Sequence, residues 1–316
     1  MTLTAGINLL PVVPQRIGAM NLFKPEGIPT TTVGIESVNG KLNLIPTQPR
    51  GTMPEAKRST KRTVRNFSVP HLPLNDTVLA DALQNVRAFG SNDNSEAVAS
   101  VVNSKMAALK QDHEVTWEWH RCGALKGQII DADGTTPIYN LFTEFGIVEQ
   151  VFTFVPGTTN DIKNKCLALK RAMEIALGSQ GFTGIHCLCS PEFYDGITGS
   201  ADVKDAFALY QDGAFKRMDN RTGFEMFGII FEEYNARMGA TRFIPANEAR
   251  FFPIGVPGLF KRYNAPGTFI ETVNTIGLEM YAKQEVQKFD TGIDLHTQSN
   301  PLHMCVLPQC LMKGTL

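Results

Sequence analysis

His113, Glu114, Val115, Thr116 and Trp117 begin as the zinc-protease HExxH helix begins, then place a tryptophan where the second ligand must stand. His113 and His120, seven residues apart, would share one helix face, but two imidazoles do not make a catalytic zinc site, so both read as structural histidines. Asp131-Ala132-Asp133-Gly134 opens like a calcium loop, yet no glutamate arrives at the twelfth position to grip the ion with both oxygens; a hairpin turn is the better reading. His186, Cys187 and Cys189 carry atoms suited to a soft metal or a thiol nucleophile. On a strand, the two cysteines point one way and the histidine the other, so they read as small buried hydrophobes and a neighbour. Glu232 and Glu233 are adjacent and therefore diverge, which puts them on a solvated strand or helix edge. There is no GxGxxG, GxxxxGK[ST] or GxSxG, so neither a phosphate loop nor a hydrolase elbow is present. An enzyme reading is left without a nucleophile–base pair, no catalytic or metal site is expected, and no cofactor is implied.

The unusual chemistry lies instead in the passage PRGTMPEAKRSTKRTVRNFSVP, residues 49–70. Arg50, Lys57, Arg58, Lys61, Arg62 and Arg65 face a single acid, Glu55, for a net charge of +5. The whole chain is −1, which leaves −6 for everything else. Clustered Lys and Arg could neutralise phosphates, and a nucleic-acid-binding arm over residues 50–65 is one reading. Single-strand readers interleave aromatic side chains for stacking, and here only Phe67 is available. A solubilising surface loop is a second reading. The third is an arm that reaches an acidic patch on another copy of the chain, where complementary charge would steer and register the contact.

The elements around this passage decide where it sits. Nine of the eighteen prolines lie in the first 73 residues and none falls between Leu74 and Thr136. The N-terminal quarter therefore reads as extended arms and turns, too poor in burial to order itself unless it lies on the rest of the protein or on a neighbour. Residues 30–47 read as a hairpin with Val33, Ile35 and Val38 before Asn39-Gly40 and Leu42 and Leu44 after it, so the basic passage leaves and rejoins ordered structure.

A long helix is expected over about 94–122, capped by Asn94 or Ser95, with Val98, Val102, Met106 and Leu109 on one face and Gly123 and Gly127 as stops. Its far end is ambiguous, because Val115, Trp117 and Trp119 alternate as a strand would. A hairpin around Asp133-Gly134 and a strand over 148–155 follow. The clearest helix starts after Asn160, lines one face with Ile162, Cys166, Leu169, Met173 and Leu177, and stops at Gly178. GIHCLC reads as a buried strand, Ser190-Pro191 as a helix start, SADVKDAFALY as a short helix, and the last third, including residues 268–286 and 301–312, as strand-rich.

With 316 residues and 43% hydrophobic content, the chain can build two domains or one elaborate one; its 19% charged content is low enough to suggest surface withdrawn from water by partners. The longest apolar run, FFPIGVPGLF at 251–260, is too short and too proline-broken to span a bilayer, so no membrane association is expected. The N-terminus lacks a secretory pattern, and six irregularly spaced cysteines suggest a reducing cytoplasm.

Several separated blocks, in order, resemble the lambda-like phage major capsid protein E family: INLLPVVPQRIGAMNLF, GIPTTTVGIESVNGKLNLIPTQPRG, VPHLPLNDTVLADALQNVRAFGS, ALKGQIIDADG, YNLFTEFG and FIPANEARFFPIGVPGLFKRYNAPG. The resemblance implies the α+β tailed-phage major capsid fold, with an N-terminal arm, an extended β-hairpin loop, a long spine helix, a peripheral domain and an axial domain. Mapped onto this chain, 1–44 is the arm with the first peripheral strands, 45–73 the extended loop and 74–156 the peripheral domain with the spine helix. Residues 157–270 are then the axial domain and 271–316 the return strands. The implied function is a structural subunit that assembles with itself, through hexamers and pentamers, into an icosahedral head enclosing double-stranded DNA without reading its sequence. Implied partners are a separate scaffolding protein, a decoration protein in some relatives, and a portal at one vertex. The basic residues from Arg50 to Arg65 become inter-subunit contacts of the loop.

Overall fold

The computed structural model describes residues 3–10, 15–37, 63–83, 94–158, 161–178, 180–201, 203–204 and 220–316. The chain divides into two compact units, and the division falls within the long helix, which runs Asn94–Lys126.

The first unit comprises residues 1–34, 66–121 and 260–304. An antiparallel sheet takes Tyr281–Val286, Gly292–Ser299 and Leu72–Leu79 in that order, with Leu295 opposite Asp76 and Gln284. The expected helix face packs on it: Val102, Met106 and Leu109 are buried with Ile7, Val78, Met280, Ala282 and Leu295. A second sheet orders Lys24–Gly27, Phe260–Asn264 and Pro301–Cys305. The N-terminal quarter is not purely extended. Leu3–Leu9 and Arg16–Ala19 are helical and bury Ile7 and Ile17 against the unit's own body. Of the two supports expected for this segment, these two helices use their own chain.

The second unit comprises 35–65, 122–259 and 305–316. Its six-stranded mixed sheet runs Gln150–Thr153, Met312–Thr315, Glu248–Ile254, Gly184–Cys189, Ile229–Glu233 and Phe224–Met226. Phe154, Phe193, Phe231 and Phe251 pack edge-to-face and stacked, with Phe251 5.9 Å from Phe154 and 6.0 Å from Phe231. The helix Asp161–Leu177 buries the five residues expected of it. Ser190 caps Pro191–Thr198 by accepting the Phe193 amide at 3.3 Å. In the hairpin of Gln128–Ile130 and Pro137–Asn140, Asp133 accepts the Thr135 and Thr136 amides at 2.9 and 2.8 Å, and Gly134 takes φ +73°. That pattern is a turn, as the spacing indicated.

Two expectations change and one ambiguity is resolved. The long helix extends past 122 because Gly123 is not a stop: the chain folds back so closely that a Cβ there would sit 2.9 Å from the Gln128 carbonyl. Gly127, at φ +74°, ends it. The Trp117–Trp119 region is helix, not strand; residues 117–127 are all buried, so no polar face exists to reveal the helical period. Residues 268–280 are a 3₁₀ turn and irregular loop before strand begins at Tyr281, because the Thr272 hydroxyl bonds the carbonyls of Gly267 and Phe269 instead of a ladder forming.

Strand Thr32–Ser37 forms a two-stranded sheet with Thr63–Ser68. Val33 and Ile35 are buried as the alternation required, while the Asn39-Gly40 turn, Leu42 and Leu44 lie outside the described residues. So do Asn160 and all of SADVKDAFALY beyond Lys204.

Candidate functional site

Each residue singled out for possible chemistry has a structural occupation. His113 bonds Thr297 Oγ1 at 3.2 Å and Ser299 Oγ at 2.9 Å, and burial drives its pKa down to about 4. His120 lies beside His303, ring centroids 6.4 Å apart. His303 is fully buried; burial first, and then the nearby Arg262 charge, hold its pKa well below the ordinary histidine value. Cys187 and Cys189 are buried on the opposite side of the strand from His186, as alternation dictates. Burial pushes the Cys187 thiol far up and Cys166 to about 12, so neither supplies a thiolate at neutral pH.

The expectation for Glu232 is overturned. It is buried, not solvated, and its Oε2 lies 3.0 Å from His186 Nε2, two residues along the parallel neighbouring strand from Ile230, the residue opposite His186. The even alternation of that strand carried no sign of the pairing, because the partner comes from 46 residues away. Among the described residues, no three His, Cys, Asp or Glu side chains gather as metal ligands would. A concavity beside Thr183 and Ile254 is lined, among the described residues, by Lys170, Glu174 and Glu225 as its ionisable groups.

What the polar interior of the first unit does is anchor. Glu118, with no exposed surface, accepts the Ile17 amide at 2.6 Å and the Gly18 amide at 2.9 Å, filling the free donors of the short helix Arg16–Ala19. Arg121 reaches Glu118 at 3.3 Å and Glu114 at 3.5 Å. Arg262 stacks over Trp117 at 4.1 Å and pairs with Glu279 at 2.7 Å. Lys110 Nζ donates to the carbonyls of Ile7 and Leu10 at 2.9 and 2.7 Å, closing the C-terminal end of Leu3–Leu9. Sequence reading missed this system; its only signal was an unusual density of charge, EWHR, on a helix otherwise rich in apolar residues.

The surface carries the remaining signals. Arg65 stands over the Phe145 ring at 5.0 Å and is half-buried, whereas Arg50, Lys57, Arg58, Lys61 and Arg62 lie outside the described residues. Large apolar side chains are exposed in groups: Val148, Val151 and Val155 around the edge strand Gln150–Thr153, and Ile270, Val273 and Ile276 on the loop before Tyr281. Exposed apolar groups beside an unpaired strand edge are a liability for a solitary protein and an interface for one that associates.

Comparison with known proteins places the chain in a family. The family described as phage major capsid protein E matches residues 1–316, the whole chain. The chain belongs to the phage major capsid protein E family. The major capsid protein of Pseudomonas phage KPP10 is 27% identical over 334 residues, covering 99% of this chain and 95% of the relative. That of Salmonella phage Felix O1 is 24% identical over 352 residues, covering 98% and 94%. In fold, a chain of the cyanophage P-SCSP1u capsid superposes with a TM-score of 0.52 at 10% identity, over 97% of this chain and 90% of that one. The tailed-phage major capsid fold inferred from the sequence blocks is thus the observed one. As a member of the capsid protein E family, the chain is a structural subunit of a phage head shell.

Proposed function

We propose that this chain builds an icosahedral head from closed rings of five and six copies, and that the basic passage is a projecting loop laid over an adjacent copy. The division into an arm at 1–44, a loop at 45–73, a peripheral domain at 74–156, an axial domain at 157–270 and return strands at 271–316 belongs to the same reading. The observation that carries it is the pairing of Thr32–Ser37 with Thr63–Ser68. The chain before residue 38 and after residue 62 is held in one two-stranded sheet, which supports reading the segment between as an excursion and not a free tail. Its +5 charge meets a remainder of −6, which gives a neighbouring copy the complementary sign. In this reading the closed rings come from the axial domains, while arms and loops link one ring to the next through heterologous contacts.

In this reading double-stranded DNA is enclosed without sequence-specific contact, scaffolding comes from a separate chain, a portal takes one vertex, and assembly occurs in the host cytoplasm. The test deletes residues 50–62, which spares Arg65 and its strand. The variant is expected to remain a folded, soluble subunit that no longer forms closed shells under electron microscopy. Normal shells from it would defeat the loop assignment. A filter-binding titration separates the nucleic-acid alternative: tight DNA binding by the isolated subunit, with a steep salt slope, would favour that reading.

A further inference from the structure

The hairpin of Tyr281–Val286 and Gly292–Ser299 ends in a tip that spends conformational strain on an exposed aromatic. Phe289 takes φ 67° and ψ 20°, a left-handed conformation that bulky residues avoid, and Asp290 follows at φ 56°. The Phe289 side chain is 95% exposed, with Val286 and Leu79 also exposed nearby, where Gly292 pairs with Leu79 and Ile293 with Val286. The turn itself is held firmly. Gln287 donates to the Gly292 carbonyl at 2.9 Å, Asp290 to the Gln287 carbonyl at 3.1 Å, and the Ala80 amide to the Thr291 carbonyl at 3.0 Å. The Gln287 side chain donates to Asp294 Oδ1 at 2.7 Å.

Asparagine or glycine would make this turn at lower cost, so the chain by itself gains nothing from phenylalanine there. A rigidly presented aromatic is what an interface anchor looks like before its pocket arrives. The flanking charges identify the occupant. Lys288 and Asp290 stand on either side of Phe289, both exposed, so the tip is neutral overall and carries both signs. A nucleic acid would demand cations alone, and a strongly charged partner would demand one sign. A surface with one of each is complementary to itself.

We propose that this tip is a contact between copies of the chain, with Lys288 of one copy facing Asp290 of the next and Phe289 packed against the exposed Val286 and Leu79 of its neighbour. It rests on the reading of the chain as a shell subunit, since only an assembling chain offers a second tip.

The test uses the full chain, expressed with the remaining head proteins of its phage, and reads particle yield by sedimentation and subunit stability by urea unfolding. Phe289→Asn suits the left-handed turn better than phenylalanine, so the subunit is expected to be no less stable while particle yield falls about tenfold or more. Lys288→Asp and Asp290→Lys each lower the yield by juxtaposing like charges, and the double swap restores it without changing subunit stability. Wild-type yield from Phe289→Asn, or a double swap no better than the single variants, overturns the contact and leaves the shell reading intact. A wild-type chain that forms no particles in the same cells overturns the shell reading and this contact together.

Discussion

Replacing Glu118 with alanine tests whether the buried charge cluster holds the N-terminal segment in place. The carboxylate has no exposed surface and serves three donors: the Ile17 amide at 2.6 Å, the Gly18 amide at 2.9 Å and Arg121 at 3.3 Å. Alanine leaves the buried Ile17 amide without that acceptor, at about 1–3 kcal/mol, and the half-buried Gly18 amide, which water reaches in part, at less. Arg121 keeps Glu114 at 3.5 Å, so its own loss is the smaller part. The expected total is about 3–5 kcal/mol, within the range for breaking one side of a buried ion pair and a large share of a typical domain's stability. Because the chain has two compact units, global unfolding alone is a blunt readout. Amide exchange is sharper: Ile17 and Gly18 should exchange about a hundredfold faster, corresponding to roughly 3 kcal/mol of lost local protection. Glu118→Gln, which keeps one acceptor oxygen, should fall between. If Glu118→Ala costs under about 1 kcal/mol and the two amides stay as protected as before, the anchoring argument fails.

Acid should weaken the first unit through its buried histidines. His113 titrates at about 4 when folded and near the ordinary 6.5 when unfolded, so between those values the unfolded chain binds a proton that the folded one refuses. Stability is therefore full above pH 6.5 and falls as pH drops towards 4, by about 1.4 kcal/mol per unit and about 3 kcal/mol in all. His303 acts in the same direction, while Glu114, its carboxyl pushed up by burial, opposes them. Urea unfolding across this range should show a flatter slope in His113→Gln than in the parent, and equal slopes would refute the assignment. Gly277→Ala should cost about 3 kcal/mol or more by the same assay, because its Cβ would overlap the backbone of Asn264 and lie 2.6 Å from the Ala265 carbonyl carbon. A silent substitution there would mean the loop relaxes freely.

The elements legible from sequence are those with one wet face and one dry face. Ile162, Cys166, Leu169, Met173 and Leu177 could be read because the residues between them are largely exposed. Asp133-Gly134 and Ser190-Pro191 could be read because turns and caps are local chemistry. The far end of the long helix could not, since burial on every side erases periodicity. Glu232 and Glu118 were missed for a related reason: each is satisfied by a partner 46 or about 100 residues distant, and nothing in the neighbouring letters announces it. The N-terminal helices were hidden by the prolines around them. Leu3–Leu9 is too short to persist by propensity and exists because Lys110, Thr4 and Asn8 tie it to the long helix and to Met280 and Ala282.

These anchors bear on how a capsid subunit can be both self-contained and adhesive. Ile270, 95% exposed, and Val273 and Ile276 beside it sit on a loop fixed by Thr272 to Gly267 and Phe269, by Thr275 to Thr272, and by Gly277 to Ile28. The ordering of that loop is settled when the subunit folds, so a contact made there keeps more of its burial energy than one made by a floppy segment. In the loop reading proposed above, the basic passage would work by a different physics, since clustered charge acts over a Debye length of about 8 Å and would choose orientation before surfaces touch. Charge that steers and rigid apolar points that lock are separable by salt: raising ionic strength should slow encounter through the first while leaving the second largely in force. A shell needs both, because each copy must find the right neighbour reversibly before many shallow contacts add up to a wall.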